Sequence, residues 1–424
     1  MTPHHTGSNP ACPPPGFPAH GRHIPALDAL RGLAILLVLI YHVNLGLDDP
    51  SWLGATLGKV MKLGGCGVDL FFVLSGFLIT GILHDAKADP FYFRNFYVRR
   101  TLRIFPLYYA VLLFAFVFLP MVSTLGTTIY REAAYYQSWL WLYVANVLMG
   151  IKSGYLFGGF NHFWSLAVEE HFYLFWPLVI YACSRRGAMV ACVGCVVLST
   201  ASRVWLMALG DNGIACYVLT PCRMDSLAVG AWLALAVRGP IGQRNLTRWA
   251  SASLAASLIA TAGFLAWKRD LSHMDATVLI LRGTFYTWVF GSLMILAISA
   301  RPEGLVGRLG RGRMLRFLGK YSYGLYIFHY PLIPFLQHVY SIEGVGARTG
   351  SLFVARLGFV GLECAGTVAL ALLSWNLMEK HCLKLKDVLT RRAGEPVTAA
   401  RVLTGASQAI SLSRGTDSTS RLPG

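Results

Sequence analysis

Charge is scarce in these 424 residues: 13% are Asp, Glu, Lys or Arg, and only 20 are acidic against 37 basic. A chain of water-soluble domains carries about a quarter charged residues, so several such domains are excluded. The nine cysteines show none of the short paired spacings of a zinc site, and no metal is expected. Residues 1–20 are rich in Pro and His and lack an apolar core ending in a small-residue cleavage site, so they do not read as a signal peptide. No internal repeat of the kind seen in inverted-topology transporters is evident.

What is present is hydrocarbon. Fully 55% of the chain is hydrophobic, in runs of roughly 17–25 residues, the length a membrane core of about 30 Å requires. The expected architecture is all-α and polytopic, with about ten transmembrane helices. Their expected positions are Leu27–Leu45, Gly67–His84, Ile104–Val122, Phe163–Cys183, Ala188–Leu209, Arg223–Val237, Trp249–Trp267, Thr277–Ser299, Phe317–His338 and Ser351–Met378. This gives an N-terminal tail over 1–25, a membrane domain over 26–379 and a basic, disordered tail over 380–424. The first span serves as the targeting signal.

Orientation follows the basic residues, because Lys and Arg in short loops stay on the cytoplasmic side. The net charge of +17 is therefore topogenic and gives no continuous face for nucleic acid. The short apolar piece Trp139–Met149 decides the count. If it crosses, the loop with Arg301, Arg308, Arg311, Arg313 and Arg316 faces outward; if it does not, that loop joins the other basic loops inside. The second assignment leaves seven basic residues outside (Lys59, Lys62, Arg131, Lys152, Lys268, Arg269 and Arg348) against more than twenty inside. Ten spans, both termini in the cytoplasm and a non-spanning segment near 139–149 are the expectation.

Ionisable groups in hydrocarbon cost at least ~2.5–3.5 kcal/mol each on insertion scales and mark functional interiors. Arg31 and the cluster Arg99, Arg100, Arg103 lie toward the cytoplasm. His42, Asp69, Glu169, Glu170, Arg223 and Asp225 lie in the outer half, with His329 nearer the middle. Arg31 and His42 are eleven residues apart on one helix, about 16 Å along the axis and on nearly the same face. Imidazole is suited to take a proton from a hydroxyl near neutral pH; the alternatives are a packing histidine and a snorkelling topogenic arginine. Arg100 and Arg103, three apart, share a face as a phosphate clamp would require, or serve only as positive-inside signal. Asp69 opens an apolar helix where it would complement the dipole. Glu169 and Glu170 lie too far into theirs for that, so at least one is expected to face a polar cavity. His329 follows Tyr-Ser-Tyr-Gly-Leu-Tyr-Ile-Phe, and either lines a hydrated pocket or bonds across helices. His171, Arg203, Arg282, Arg356 and Glu363 are further intramembrane groups to which the sequence assigns no role. Cys192 and Cys195, three apart in an apolar span, read as small packing residues.

Taken in order, several stretches resemble the acyltransferase-3 family of membrane O-acyltransferases, which modify cell-surface saccharides and related acceptors. They are Leu27-Asp28-Ala29-Leu30-Arg31-Gly32 with His42, Gly67-Val68-Asp69-Leu70-Phe71-Phe72-Val73-Leu74-Ser75-Gly76-Phe77, and Arg99-Arg100-Thr101-Leu102-Arg103-Ile104-Phe105-Pro106. Trp164-Ser165-Leu166-Ala167-Val168-Glu169-Glu170, Arg223-Met224-Asp225-Ser226 and Ser322-Tyr323 leading to His329 follow. The resemblance implies that Arg31 and His42 are paired catalytic-site residues, with Glu169 a third. It also implies that Arg100 and Arg103 form a cytoplasmic Arg-x-x-Arg motif for acyl-CoA, a co-substrate and not a bound cofactor. The sequence departs at Glu379-Lys380-His381, where relatives carry Pro at the position of His381. Some relatives add a soluble hydrolase-like domain, which is not expected within the short tail after 392.

The implied reaction is transfer of an acyl group, acetyl above all, from cytoplasmic acyl-CoA to a hydroxyl of an extracytoplasmic or lipid-linked saccharide at a bacterial inner membrane. His42 would be the general base, with Glu169 or Asp69 orienting it. Asp69, Glu170, Arg223, Asp225 and His329 are candidates for the acceptor site or for structural polar groups. The rival from another class is a saccharide or lipid-linked-intermediate flippase, which also needs intramembrane charge. Cys216 and Cys222, beside the expected outer loop Asp211–Pro221, are either a disulfide or two buried thiols.

Overall fold

A computed structural model of the protein describes residues 24–43, 58, 61–210, 213–268 and 276–390. The tail over 1–25, except its last two residues, and residues 391–424 lie outside the described residues, as do Lys59, Arg269 and Asp211.

Among the described residues all regular structure is helical, and ten helices have 18 residues or more. They are α1 (Pro25–His42), α2 (Gly67–Asp85), α3 (Tyr92–Leu113), α4 (Trp164–Ala182), α5 (Arg185–Ala208), α6 (Thr220–Val237), α7 (Gln243–Lys268), α8 (Ala276–Ser299), α9 (Arg313–Val339) and α10 (Leu352–Ser374). Six stretches are long and apolar enough to cross a membrane: Pro25–His42, Met61–Asp85, Tyr92–Val122, Arg185–Ala208, Thr277–Ser299 and Leu352–Leu389. The chain is therefore a multi-pass membrane protein. α4, α6 and α9 are diluted by polar residues singled out above, Glu169 to His171, Arg223 with Asp225, and His329, and α9 also by Lys320.

Local chemistry explains the ends. Pro25 begins α1 with its missing N–H at a position that needs none, and Asp28 sits in the first turn against the positive dipole end. Trp139–Met149 is not one helix: Gln137–Trp141 and Ala145–Lys152 are separated at Tyr143, whose φ of 56° breaks the rod. Two boundaries differ from expectation. Arg99, Arg100 and Arg103 are not in a loop entering the third span; the helix already begins at Tyr92, so all three project from it. The tail over 380–424 is not disordered from its start: α10 passes through a π turn, Trp375–Glu379, into the helix Lys380–Leu389. With His at 381 and not Pro, the backbone N–H needed to continue that helix is available.

Two helix pairs form the frame, each closed by reciprocal glycines. A methyl group on Gly76 of α2 would overlap the Leu227 carbonyl of α6, and one on Gly230 of α6 would overlap the Val73 carbonyl of α2. Gly32 of α1 meets Leu315 of α9 in the same way, and Gly319 of α9 meets Asp28 of α1. Without a hydrophobic force between helices in lipid, such close backbone contact is what holds them. α2 is thereby held to α6 and α1 to α9, and α1, α2, α3, α4 and α9 surround a polar interior.

Candidate active site

Five helices contribute polar side chains to one cavity of about 100 Å³. α1 supplies Arg31, α2 supplies Ser75, α3 supplies Arg100 and Arg103, α4 supplies Ser165, Glu169, Glu170 and Tyr173, and α9 supplies Ser322, Tyr323 and Tyr326. At about 30 Å³ per water, that is room for roughly three waters or a small acyl group, not for a nucleotide. The three-residue spacing of Arg100 and Arg103 puts both on the lining face, and both Glu169 and Glu170 reach it.

The cavity has a marked electrostatic imbalance. Ser75 donates to Glu169 Oε1 at 2.6 Å, and the Arg100 guanidinium stacks 4.8 Å from the centre of the Tyr173 ring. Arg31 lies within electrostatic reach of Arg103 and Arg100. Among the described residues, no carboxylate forms an ion pair with Arg31, Arg100 or Arg103. Three arginines share the cavity with two carboxylates, Glu169 and Glu170, none of them at ion-pair distance, and the one cation in excess suits an anion.

His42 is not in this cavity. It ends α1, where its Nδ1–H donates to the Val38 carbonyl at 2.9 Å, leaving Nε2 as the basic nitrogen. Its ring packs 4.9 Å from that of His329 and 4.7 Å from that of Tyr330. The expected carboxylate orienter is absent: Glu169 is engaged by Ser75 and Asp69 by Arg223, so a backbone carbonyl fixes the imidazole. Beyond His329 lies His162, a residue that the sequence reading missed, with ring centres 4.8 Å apart. His329 Nδ1–H and His162 Nε2–H both donate to the carbonyl of Tyr326, at 2.7 and 3.0 Å. His329 Nε2 is left buried and unpartnered. Tyr326 also shares a 2.5 Å hydrogen bond with Ser165 and lines the cavity. It is the common wall between the arginine cavity and the histidine cluster.

Asp69, Arg223 and Asp225 are engaged in buried ion pairs. Arg223 pairs with Asp69 and Arg203 with Asp225, each at 2.7 Å, with every side chain at most 4% exposed. Phe72, Trp164 and Tyr217 enclose the Arg223 guanidinium with ring centres at 5.3–5.7 Å. Arg203, without an assigned role until its partners are seen, also donates to the Cys222 carbonyl at 2.8 Å. These pairs brace α2, α5 and α6 together. Cys216 and Cys222 are both buried, with their side chains within hydrogen-bond reach of each other and not joined by a disulfide.

Residues 24–376 match the acyltransferase domain family Acyl_transf_3. The chain belongs to that family. This member is 30% identical over 331 residues to the O-acetyltransferase OatA of Staphylococcus aureus (strain NCTC 8325 / PS 47), covering 75% of this chain and 52% of that protein. It is 32% identical over 329 residues to the putative peptidoglycan O-acetyltransferase YrhL of Bacillus subtilis (strain 168), covering 74% and 49%. It is 30% identical over 336 residues to the peptidoglycan O-acetyltransferase OatA of Listeria monocytogenes, covering 76% and 51%. The chain thus spans about half the length of these curated relatives. No solved structure matches it. The family match covers every residue of the cavity and of the histidine cluster.

Proposed function

We propose that this acyltransferase-family protein transfers an acetyl group from cytoplasmic acyl-CoA to a hydroxyl of a cell-wall saccharide on the far side of a bacterial inner membrane. The observation that carries the reading is the trio Arg31, Arg100 and Arg103, unpaired and facing one cavity. Arginine forks suit phosphate and the developing charge of a departing thiolate. The peptidoglycan class of acceptor is suggested by the names of the relatives. Ten spans with both termini in the cytoplasm put the arginines on the donor side and His42 on the acceptor side.

In this reading the adenosine of acyl-CoA stays outside, its phosphates meet Arg100 and Arg103 from the basic face, and only the pantetheine arm and acyl group enter the small cavity. His42 Nε2 takes the proton of the acceptor hydroxyl while its oxygen forms a bond to the acyl carbon. The carbon–sulfur bond breaks, and the thiolate leaves and takes up a proton to become free coenzyme A. Tyr326, as the shared wall, must yield for donor and acceptor to meet. Glu169, held by Ser75, offsets part of the arginine charge. Direct transfer needs no further reactant.

The test is purified full-length protein in liposomes, given labelled acetyl-CoA and soluble peptidoglycan fragments. Label is expected on fragment hydroxyls and is expected to vanish in Arg100→Ala. Loss of transfer equal for acetyl-CoA and for a phosphate-free acetyl-pantetheine donor in Arg100→Ala would refute the clamp. Unchanged O-acetylation of the wall in a strain lacking the gene would refute the acceptor.

A further inference from the structure

A second and larger cavity, of about 350 Å³, lies between α5, α6, α7 and α8, away from the arginine site. Its walls are almost wholly apolar, with Cys192, Trp232, Leu233, Trp249, Ala250 and Trp288 among them. Trp249 and Trp288 are 57% and 48% exposed at its rim, so the hollow opens sideways into lipid. It also lies at one depth. The lining residues fall in 192–197 of α5, 228–233 of α6, 246–253 of α7 and 288–295 of α8. In each helix that is, to within a residue, the half nearer the end marked by Arg185, Arg238, Arg244 or Arg301.

The base of this groove is cationic. Arg185 precedes Cys192 by seven residues, two turns on the same face and about 10 Å along the axis. Its guanidinium crosses to α6, where it donates to the Leu235 carbonyl at 3.1 Å, and among the described residues it has no carboxylate partner. Arg186 beside it is exposed. Arg238, by contrast, is neutralised by a two-pronged bond to Asp85, both arms at 2.7 Å. Arg244 and Arg248 are on the face of α7 turned away from Leu246 and Trp249. An apolar slot at membrane depth above two unneutralised arginines matches a lipid with an anionic head.

We propose that this groove holds the acyl chain of an anionic phospholipid whose phosphate group rests on Arg185 and Arg186. The site is independent of the proposed acyl transfer, since it shares no residue with the arginine cavity. The experiment is native mass spectrometry of the full-length protein in detergent, mixed with equal phosphatidylglycerol and phosphatidylcholine. One phosphatidylglycerol should be retained, with a preference of about five-fold per arginine. Arg186→Gln, at an exposed position, should cut that preference, and Arg185→Gln with Arg186→Gln should abolish it. Val193→Phe with Ser253→Phe, which fills the slot from its wall, should release both lipids while the protein stays monodisperse. Equal retention of the two lipids, or wild-type preference in Arg186→Gln and the double arginine variant, overturns the proposal. So does lipid kept by the filled variant, or an isoprenoid phosphate recovered, by its mass, in place of a diacyl lipid.

Discussion

At the scale of the residue, three groups carry distinct burdens. His42→Ala should lower acetyl transfer by ~10²–10⁴-fold, the worth of a general base, with normal amounts of inserted protein. Turnover above about a tenth of wild type, in the liposome assay, would remove His42 from that role. Arg103→Lys should recover part of the acetyl-CoA affinity lost in Arg103→Ala, because a point charge replaces the fork. Titrating initial rate against donor concentration reads this directly. Arg203→Ala belongs to stability and not to chemistry. It strands the Asp225 carboxylate, 1% exposed, and breaking such a buried pair costs about 3–5 kcal/mol. Arg203→Met with Asp225→Leu should regain most of the lost thermal stability, since no charge is then left behind. A double variant as unstable as the single one would assign Arg203 some task beyond pairing.

Helices behave here as rods set by their closest backbone contacts. Gly76→Ala and Gly230→Ala should each destabilise the protein by about 1–3 kcal/mol through overpacking, and should also depress activity, because Gly76 follows the Ser75 that holds Glu169. Gly194→Ala is the control: nothing lies near its added methyl group, and it should be neutral. Thermal unfolding in detergent separates the three. At this scale much was legible beforehand. Apolar run length predicted the helices, and the three-residue spacing correctly put Arg100 and Arg103 on one face, where they now line a cavity with Arg31, Glu169 and Glu170. What failed was pairing between helices. Asp69 and Arg223 are 154 positions apart, and nothing in the order of residues says that they meet and neutralise each other. His162 was overlooked for the same reason. It lies two residues before Trp164, in a 3₁₀ turn, and gains meaning only when α9 brings Tyr326 and His329 against it. A histidine just ahead of an apolar helix was the available signal. The carboxylate imagined beside His42 failed because both candidates had stronger partners nearby.

For the whole molecule, the decisive quantity is the sidedness of its charge. Arg185, Arg238, Arg244, Arg301 and Arg313 mark one end of α5 to α9, whereas Arg203 and Arg223, toward the other end, are each neutralised by a buried aspartate. The segment holding Tyr135 and the two short helices that follow leads into α4 at the opposite end, the end at which α1 finishes with His42. Acyl transfer across a membrane requires that these ends face different compartments, with the cationic end toward coenzyme A. The proposal therefore makes a topological prediction separate from any rate. In a cysteine-free background, Tyr135→Cys, at a side chain 80% exposed, should react with an impermeant maleimide in intact spheroplasts. Arg301→Cys, also exposed, should react only after the membrane is breached. The reverse pattern would put the arginine cavity's open side away from the acyl-CoA pool, and the donor-side assignment of Arg31, Arg100 and Arg103 would fall with it, even if His42→Ala had abolished activity. Labelling of both from outside would mean an odd number of crossings between residues 135 and 301 is wrong, and with it the non-spanning reading of 139–149 or one of the five helices α4 to α8.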